Sequence, residues 1–241
     1  PLPKINAPTY ELVIPSSKKK IRYRPFLVKE EKILVIAMES NEISDIARAV
    51  KQVLSNCIIT RGIKVDKLST FDIEYLFLNI RAKSVGESLD LVVTCPDDDE
   101  TTVPVKVYID EIEVQQHEDH TTDINLDGNL TLRMKYPSLE EFISNNFDFE
   151  GNSNESIIEK SFDVIASCID MVFDKEDSWA ASDCTKKELT EWLESLNSKQ
   201  FKEVEHFFDS MPKLSHTFKV TNPKTKVESE VTLEGLSSFF A

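Results

Sequence analysis

The chain has 241 residues, of which 40% are hydrophobic, 29% are charged and only five are glycine, so Gly-rich nucleotide loops of the common kinds are absent. A chain of this length buries roughly 70% of its unfolded surface and needs neither disulfides nor a metal to fold. Its net charge of −15 argues against sequence-independent nucleic-acid binding, and the lack of any apolar run of about 18 residues predicts no membrane span.

The N-terminal part of the sequence predicts a hairpin followed by two helices. Two β-prone runs, Thr9–Ile14 and Lys20–Tyr23, flank a Pro-Ser-Ser turn. Val28–Ser40 is apolar nearly all round, which predicts a largely buried helix. A second helix follows from Ile43, with apolar residues on one face, and its tail is expected to run to Thr60.

The central part predicts a capped helix and two hairpins. Ser69 opens an apolar helix in an approximate capping box, and the first hairpin spans Leu89–Ile112. Ile124–Met134 reads as strands interrupted by an Asp-Gly turn. A further capping box begins at Ser138.

Residues 145–154 are rich in Asn, Ser and acidic side chains and are the best linker candidate. We therefore expect an N-terminal α+β region at 1–144 and a mostly helical region at 155–241 that ends in a hairpin. In the latter, Ile158–Phe173 forms one helical stripe, and Thr185 caps a second helix. The fold class is thus α+β.

A similar hairpin occurs twice in the sequence. Val93-Thr94-Cys95-Pro96 and Val220-Thr221-Asn222-Pro223 share a V-T-x-P turn, and each hairpin follows a helix with two phenylalanines at the same spacing, Phe71 and Phe77 or Phe201 and Phe207. Either a helix-then-hairpin unit occurs twice, giving two related halves, or the likeness is accidental. We expect both hairpins to pack on the helices that carry Phe71 and Phe201.

The hairpins resemble zinc-ribbon knuckles, which supply two thiolates each to a tetrahedral zinc ion. Here the first turn retains only Cys95 and the second none, so we predict ribbon-like hairpins without metal. The four cysteines form no C-x-x-C, and no signal-like apolar segment begins the sequence, so free thiols in a reducing cytoplasm are expected. Cys57 and Cys168 lie on apolar stripes and are expected to fill the core.

Candidate catalytic groups are few. His117 and His120 flank two acidic residues but lack the H-E-x-x-H spacing of zinc proteases. The acidic turn Asp97–Glu100 could gather a divalent ion, although such turns are usually solvated. We therefore predict no catalytic residue, no cofactor and no metal, with a metal-dependent hydrolase as a remote alternative.

Strings at both ends of the chain resemble the baseplate hub assembly proteins of T-even-type contractile-tailed bacteriophages. These strings are Pro3-Lys4-Ile5, Thr9-Tyr10-Glu11-Leu12, Tyr23-Arg24-Pro25-Phe26-Leu27-Val28-Lys29-Glu30-Glu31-Lys32, Ala37-Met38-Glu39-Ser40 and Met211-Pro212-Lys213-Leu214-x-His216 before the N-P-K-T turn. The resemblance implies a non-enzymatic assembly chaperone that binds hub or central spike components in the host cytoplasm. The alternative that it leaves open is a structural subunit retained in the virion baseplate.

Two segments are predicted to contact these protein partners. The first contains Arg22, Tyr23, Arg24 and Phe26, since Arg and Tyr are favoured at interface hot spots. The second is the C-terminal segment with Leu236, Phe239 and Phe240, unless this tail folds onto its own core. Residues 1–35 carry eight basic and three acidic residues, which indicates either a solvated Lys-rich turn or a docking surface for an acidic partner.

Overall fold

The computed structural model describes residues 5–40, 42–139, 141 and 154–238 and confirms an α+β fold. The helices are α1 (Val28–Ser40), α2 (Ile43–Cys57), α3 (Thr70–Val85), α4 (Asn154–Ser167), α5 (Lys186–Glu194), α6 (Ser198–Ser210) and α7 (Gly235–Ser238). The strands are β1 (Tyr10–Val13), β2 (Lys20–Tyr23), β3 (Ser88–Thr94), β4 (Thr102–Tyr108), β5 (Glu113–Gln115), β6 (Asp123–Asn125), β7 (Thr131–Met134), β8 (Ile169–Phe173), β9 (Ser178–Ala180), β10 (Lys213–Thr221) and β11 (Glu228–Glu234).

The chain forms two compact units. Unit 1 comprises Pro1–Gln115 and Lys213–Ala241, and unit 2 comprises Gln116–Pro212. Unit 1 holds the antiparallel pairs β1-β2 and β3-β4 and the three-stranded sheet β11-β10-β5. These elements pack with α3, whose first turn is capped by the Ser69 hydroxyl as predicted. One core cluster of unit 1 joins α3 to the β3-β4 pair and to the three-stranded sheet. Its buried residues are Leu78, Leu89, Leu91, Val107, Ile109, Ile112 and Leu214.

The repeated turn occurs three times in unit 1. In each copy the residue before a proline accepts a hydrogen bond from the N–H four residues later, and that later residue has a positive φ. The accepting residues are Ile14, Cys95 and Asn222, and all three are buried. The positive-φ residues are Lys18, Asp99 and Lys226, at 56°, 52° and 65°. The feature that these three turns share is therefore the backbone conformation, and a buried apolar, thiol or amide side chain can occupy its first position.

The two predicted hairpins are present and lie together in unit 1. The carboxylate of Asp97, in the first turn, accepts hydrogen bonds from Asn222 Nδ2 at 3.0 and 3.1 Å and from the Thr225 hydroxyl in the second. Asp98 instead accepts from the hydroxyl and N–H of Thr101 within its own turn, and these bonds hold its pKa well below the usual range. The acidic turn thus joins the two hairpins through Asp97 and closes its own hairpin through Asp98.

The hairpins do not divide into two related halves, because both pack on α3 in unit 1. Phe201, expected beneath the second hairpin, lies on α6 in unit 2 and stacks on Phe162 with ring centroids 5.3 Å apart. The second hairpin occurs in unit 1 because β10 pairs with β5, with Leu214 opposite Val114.

Unit 2 contains a four-stranded antiparallel sheet in the order β6-β7-β8-β9, packed against its helices. Its buried core comprises Ile124, Leu132, Met134, Ala166, Cys168, Ile169, Val172, Leu193, Val204 and Phe207. α5 and α6 each begin with a complete capping box, at Thr185 and Asn197. The hairpin predicted across the Asp-Gly turn is present as β6-β7.

The compact units differ from the predicted regions 1–144 and 155–241. β7 and β8 lie on either side of the predicted linker, yet they pair in one sheet with Leu132 opposite Val172. The linker itself, 145–154, lies outside the described residues except for Asn154. The predicted helical stripe Ile158–Phe173 is wrong in its last part, because the helix ends at Ser167 and Ile169–Phe173 forms β8.

Candidate protein-binding surfaces

An apolar groove on unit 2 has a volume of about 390 Å³. The groove is lined by residues of β8, β9 and α5 and by one residue just before β7 and one just before α5. These residues are Leu130, Ile169, Val172, Trp179, Cys184, Glu188, Leu189 and Trp192. Trp179 is 49% exposed, although tryptophan is usually highly buried in globular proteins. A groove of this size and character can receive an apolar side chain from another molecule.

Two rigid elements position the groove. Trp179 lies on β9, the last strand of the sheet, opposite Val172 of β8. On the other wall, Leu189 and Trp192 are three residues apart on α5 and therefore share one face of the helix. The Glu188 carboxylate accepts hydrogen bonds from the Thr185 N–H and hydroxyl, both at 2.7 Å, which fixes the start of α5.

A second apolar surface lies on α1. Val28, Val35 and Ile36 are 80%, 55% and 58% exposed, and Leu27 and Met38 are also exposed. The prediction of a largely buried helix is therefore wrong for this chain by itself, because only Glu30 and Ala37 of α1 are buried. α1 packs on α2 along one side only, so its all-round apolar sequence leaves a face uncovered.

The predicted contact residues around Arg24 are mostly internal. Tyr23 and Phe26 are buried, and the Phe26 ring lies 5.6 Å from that of Phe77. Arg24 binds both carboxylate oxygens of Glu30, at 3.1 and 3.2 Å. Arg22 is exposed, and its backbone pairs with the chain after α2 through Ile59. Of these four residues, Arg22 is the one whose side chain faces solvent, and its role in partner binding stays a prediction.

Glu30 links α1 to its neighbours although it is 0% exposed. Besides Arg24, it accepts hydrogen bonds from the Leu27 N–H at 2.9 Å and from Asn56 Nδ2 of α2 at 3.3 Å. Burial raises the pKa of Glu30, but the hydrogen bonds from Arg24 and Leu27 outweigh it, so the pKa is lowered overall. The carboxylate therefore stays ionised and holds the start of α1 in place.

The C-terminal contact residues are only partly described. α7 packs against α3, β10 and β11, so this end of the described chain lies on unit 1. Leu236 belongs to α7, while Phe239 and Phe240 lie outside the described residues. Their predicted contacts with a partner remain a prediction.

His120, one of the candidate catalytic residues, lies in a hydrogen-bonded chain with Ser210 and Tyr136. The Ser210 hydroxyl donates to His206 O at 2.6 Å, so His120 Nδ1 must donate to Ser210 Oγ, 2.9 Å away. His120 Nε2 then accepts from the Tyr136 hydroxyl at 3.0 Å. Burial, and next the charge of His206, lower the pKa of His120, which favours this neutral form.

His117 is exposed in the same loop. Within the described part of the chain, no cluster of three or more His, Cys, Asp and Glu side chains could hold a metal ion.

Cys57, Cys95 and Cys168 are buried. Burial raises the pKa of Cys57 to about 11 and that of Cys168 to about 12, so these thiols are core residues with little nucleophilic character. No helix in the described ranges is long and apolar enough to cross a membrane.

Sequence reasoning missed both apolar surfaces. Trp179 falls in a three-residue strand whose sequence neighbours are polar, which gives no periodic signal. The exposure of α1 did have a signal, namely six consecutive apolar residues, Ile33–Met38, beside a second helix with one clear apolar face. Such a run is consistent with burial by the same chain or by another one.

Comparison with known proteins identifies one family. A family model described as T4 bacteriophage base plate protein matches residues 7–241, which is nearly the whole chain. No curated protein and no solved structure matches the chain.

Proposed function

The chain belongs to the T4 bacteriophage base plate protein family, and on this premise we propose that it is a non-enzymatic assembly protein of the baseplate hub. Membership in the family gives the chain a structural or assembly role in the phage baseplate, with other baseplate proteins as partners. The proposal adds that the partners are hub or central spike components and that the chain binds them in the host cytoplasm before the tail is complete.

The observation that carries the proposal is the apolar groove of unit 2, which contains Trp179 and Trp192 and is called the tryptophan groove below. Tryptophan is enriched among the few residues that dominate binding energy at protein interfaces. Trp179 is half exposed and lines the groove together with apolar residues that include Leu130 and Ile169. Burying that surface against a partner removes apolar area from water at about 25 cal/mol per Å².

Affinity purification from infected cells tests this role. The tagged chain should recover hub components, and Trp179→Ala should reduce that recovery at least about tenfold, since a hot-spot truncation costs 2 kcal/mol or more. Tyr108→Ala is the matched control, because Tyr108 is an aromatic residue with the same exposure, 49%, on unit 1. Full recovery by the Trp179→Ala variant would remove the groove from the proposal.

Arg22 and the C-terminal segment are proposed as additional contacts. Arg22→Gln removes the charge of an exposed side chain without placing a carboxylate opposite Glu11 of β1, so it should weaken co-purification without loss of stability. Charge reversal at Arg24 is unsuitable for this purpose, because it would disrupt the buried Glu30 carboxylate. Deletion from Leu236 tests the C-terminal segment. Unchanged recovery of hub components by both variants would contradict these contact assignments.

A structural subunit retained in the virion is the second candidate, and the description of the family as base plate proteins favours it. Mass spectrometry of purified phage particles separates the two. An assembly chaperone should be absent from mature particles, whereas a retained subunit should be present in a fixed ratio to other baseplate proteins.

The non-enzymatic part of the proposal rests on the neutral His120, whose two ring nitrogens are occupied by Ser210 and Tyr136. Elemental analysis of the purified chain provides the test. Stoichiometric zinc that disappears in a His117→Ala, His120→Ala double variant would overturn it and restore the metal-dependent hydrolase.

A further inference from the structure

The outward face of α1 carries a regular apolar stripe. Val35 and Ile36 lie at its centre, more than half exposed, and Val28 continues it toward the start of the helix. Contiguous exposed apolar surface of this kind marks an interaction site in a soluble protein. The stripe is separate from the tryptophan groove, which lies on unit 2.

Two exposed charges bracket the centre of the stripe. Lys32 precedes Val35 by three residues and Glu39 follows Ile36 by three, and both are exposed. The four positions follow the i, i+3, i+4, i+7 spacing, which places them on one face of α1. The face is therefore basic toward one end, apolar in the middle and acidic toward the other end.

This pattern is complementary to itself, and we propose that α1 pairs with α1 of a second copy in an antiparallel, two-fold symmetric dimer. A two-fold axis between Val35 and Ile36 places each opposite the other residue in the second copy. The same axis places Lys32 opposite Glu39 of the second copy, and Glu39 opposite its Lys32. Each contact then occurs twice, as an isologous interface requires.

A parallel pairing is disfavoured by the same charges. It would place Lys32 against Lys32 and Glu39 against Glu39, and like charges across an interface cost binding energy. The antiparallel arrangement also opposes the dipoles of the two helices. The order of charges along α1 is therefore complementary to a second copy of the helix in the antiparallel direction and not in the parallel one.

The interface should be modest in size. α1 has 13 residues and is about 20 Å long, whereas a standard stable interface buries about 800 Å² on each partner. A concentration-dependent equilibrium between monomer and dimer is therefore expected. The inference does not rest on the proposed hub function, because neither hub binding nor retention in the virion requires a second copy.

Sedimentation velocity of the full chain across a range of concentrations gives the first test. The wild type should approach twice the chain mass as the concentration rises, and Ile36→Glu should raise the dimer dissociation constant at least about tenfold. Gln52→Glu is the matched control, since it adds the same group to an exposed position of the neighbouring helix α2 and should not change the dimer. A wild type that stays monomeric, or an Ile36→Glu variant that still dimerises fully, overturns the proposal.

A charge exchange tests the antiparallel direction. Lys32→Glu and Glu39→Lys should each weaken self-association, because each creates two like-charge contacts across the two-fold axis. An equimolar mixture of the two variants should associate, since every crossed contact then joins opposite charges. A mixture that associates no better than either variant alone overturns the antiparallel pairing. Far-ultraviolet circular dichroism of each variant should match the wild type, because both positions are exposed.

Discussion

The first two helices of unit 1 are consecutive in the chain and pack on each other, but they differ in what they show to solvent. α2 buries its apolar residues, among them Val50, Val53 and Leu54, and exposes polar ones such as Arg48 and Gln52. α1 exposes apolar residues instead, and one of the two residues that it buries is a carboxylate, Glu30.

The apolar face of α2 is thus covered within this chain, whereas α1 has an exposed apolar face suited to a second molecule. An amphipathic helix with a polar outer face gains no hydrophobic free energy when another chain covers that face. An exposed apolar face gains free energy when another chain covers it. This contrast supports the proposal that the outer face of α1 is a surface for self-association.

Arg24→Ala should have the largest effect on stability, since it removes the guanidinium that binds both oxygens of the Glu30 carboxylate, which joins α1 to α2. Lys29, whose Nζ lies 3.6 Å from Glu30 Oε1, is largely exposed and replaces the guanidinium poorly, so the loss should approach the cost of about 3–5 kcal/mol for a buried carboxylate left without its cation. Urea unfolding followed by circular dichroism should show this loss in the free energy of unfolding. A loss below about 1 kcal/mol would indicate that Glu30 finds water or another donor.

The pH dependence of the free energy of unfolding should identify Glu30 as a carboxyl group whose ionised form stabilises the fold. Its pKa is lowered in the folded protein, so its contribution to stability is complete above the unfolded value of about 4.3 and is lost as pH falls through the folded value. In Glu30→Gln, unfolding free energy should therefore fall less steeply with decreasing pH below about 4.3 than in the wild type. Parallel curves for the two proteins would contradict the lowered pKa.

Leu54→Ala should have the next largest effect, because it opens a cavity on the buried face of α2. Leu54 is fully buried, and such truncations cost about 2–5 kcal/mol. Urea titration measures the change, with Gln52→Ala on the exposed face as the control, expected within about 0.5 kcal/mol of wild type. A similar cost for both variants would show that the two faces of α2 are not distinguished.

Ile36→Ala should have the smallest effect on the isolated chain, although isoleucine is as apolar as the leucine of α2. More than half of Ile36 is exposed, so its truncation should change the free energy of unfolding by less than about 1 kcal/mol at low protein concentration. At high concentration the wild type should gain stability from association and the variant should gain less. Equal concentration dependence for both proteins would count against the outer face of α1 as an interface.

Local signals in the sequence predicted most of the elements of the fold. Side-chain caps at Ser69 and Thr185 marked helix starts, and Pro-containing turns marked the hairpins. Pairing between distant strands was not predictable, because nothing near β8 indicates that its partner is β7. The end of the helix before β8 was misplaced for a different reason, since its apolar residues fit either a helix face or a buried strand.

The contact surfaces were harder to predict than the fold. Tyr23 and Phe26 have residue types typical of interfaces, yet their surroundings in unit 1 make them core residues. Arg24 has the same difficulty, because the buried Glu30 that binds it follows six residues later without any pattern to mark it. Residue type states what a side chain can do, and only the packing shows which neighbour it serves.

Hydrogen exchange measured by mass spectrometry at low and high protein concentration tests the central contrast most directly. Exchange in a helix reports its local opening, which an added partner suppresses. The amides of α1 should exchange more slowly at high concentration, while those of α2 should be nearly unchanged and serve as the internal control. Unchanged exchange in α1, or equal slowing in both helices, would contradict the assignment of the outer face of α1 to assembly.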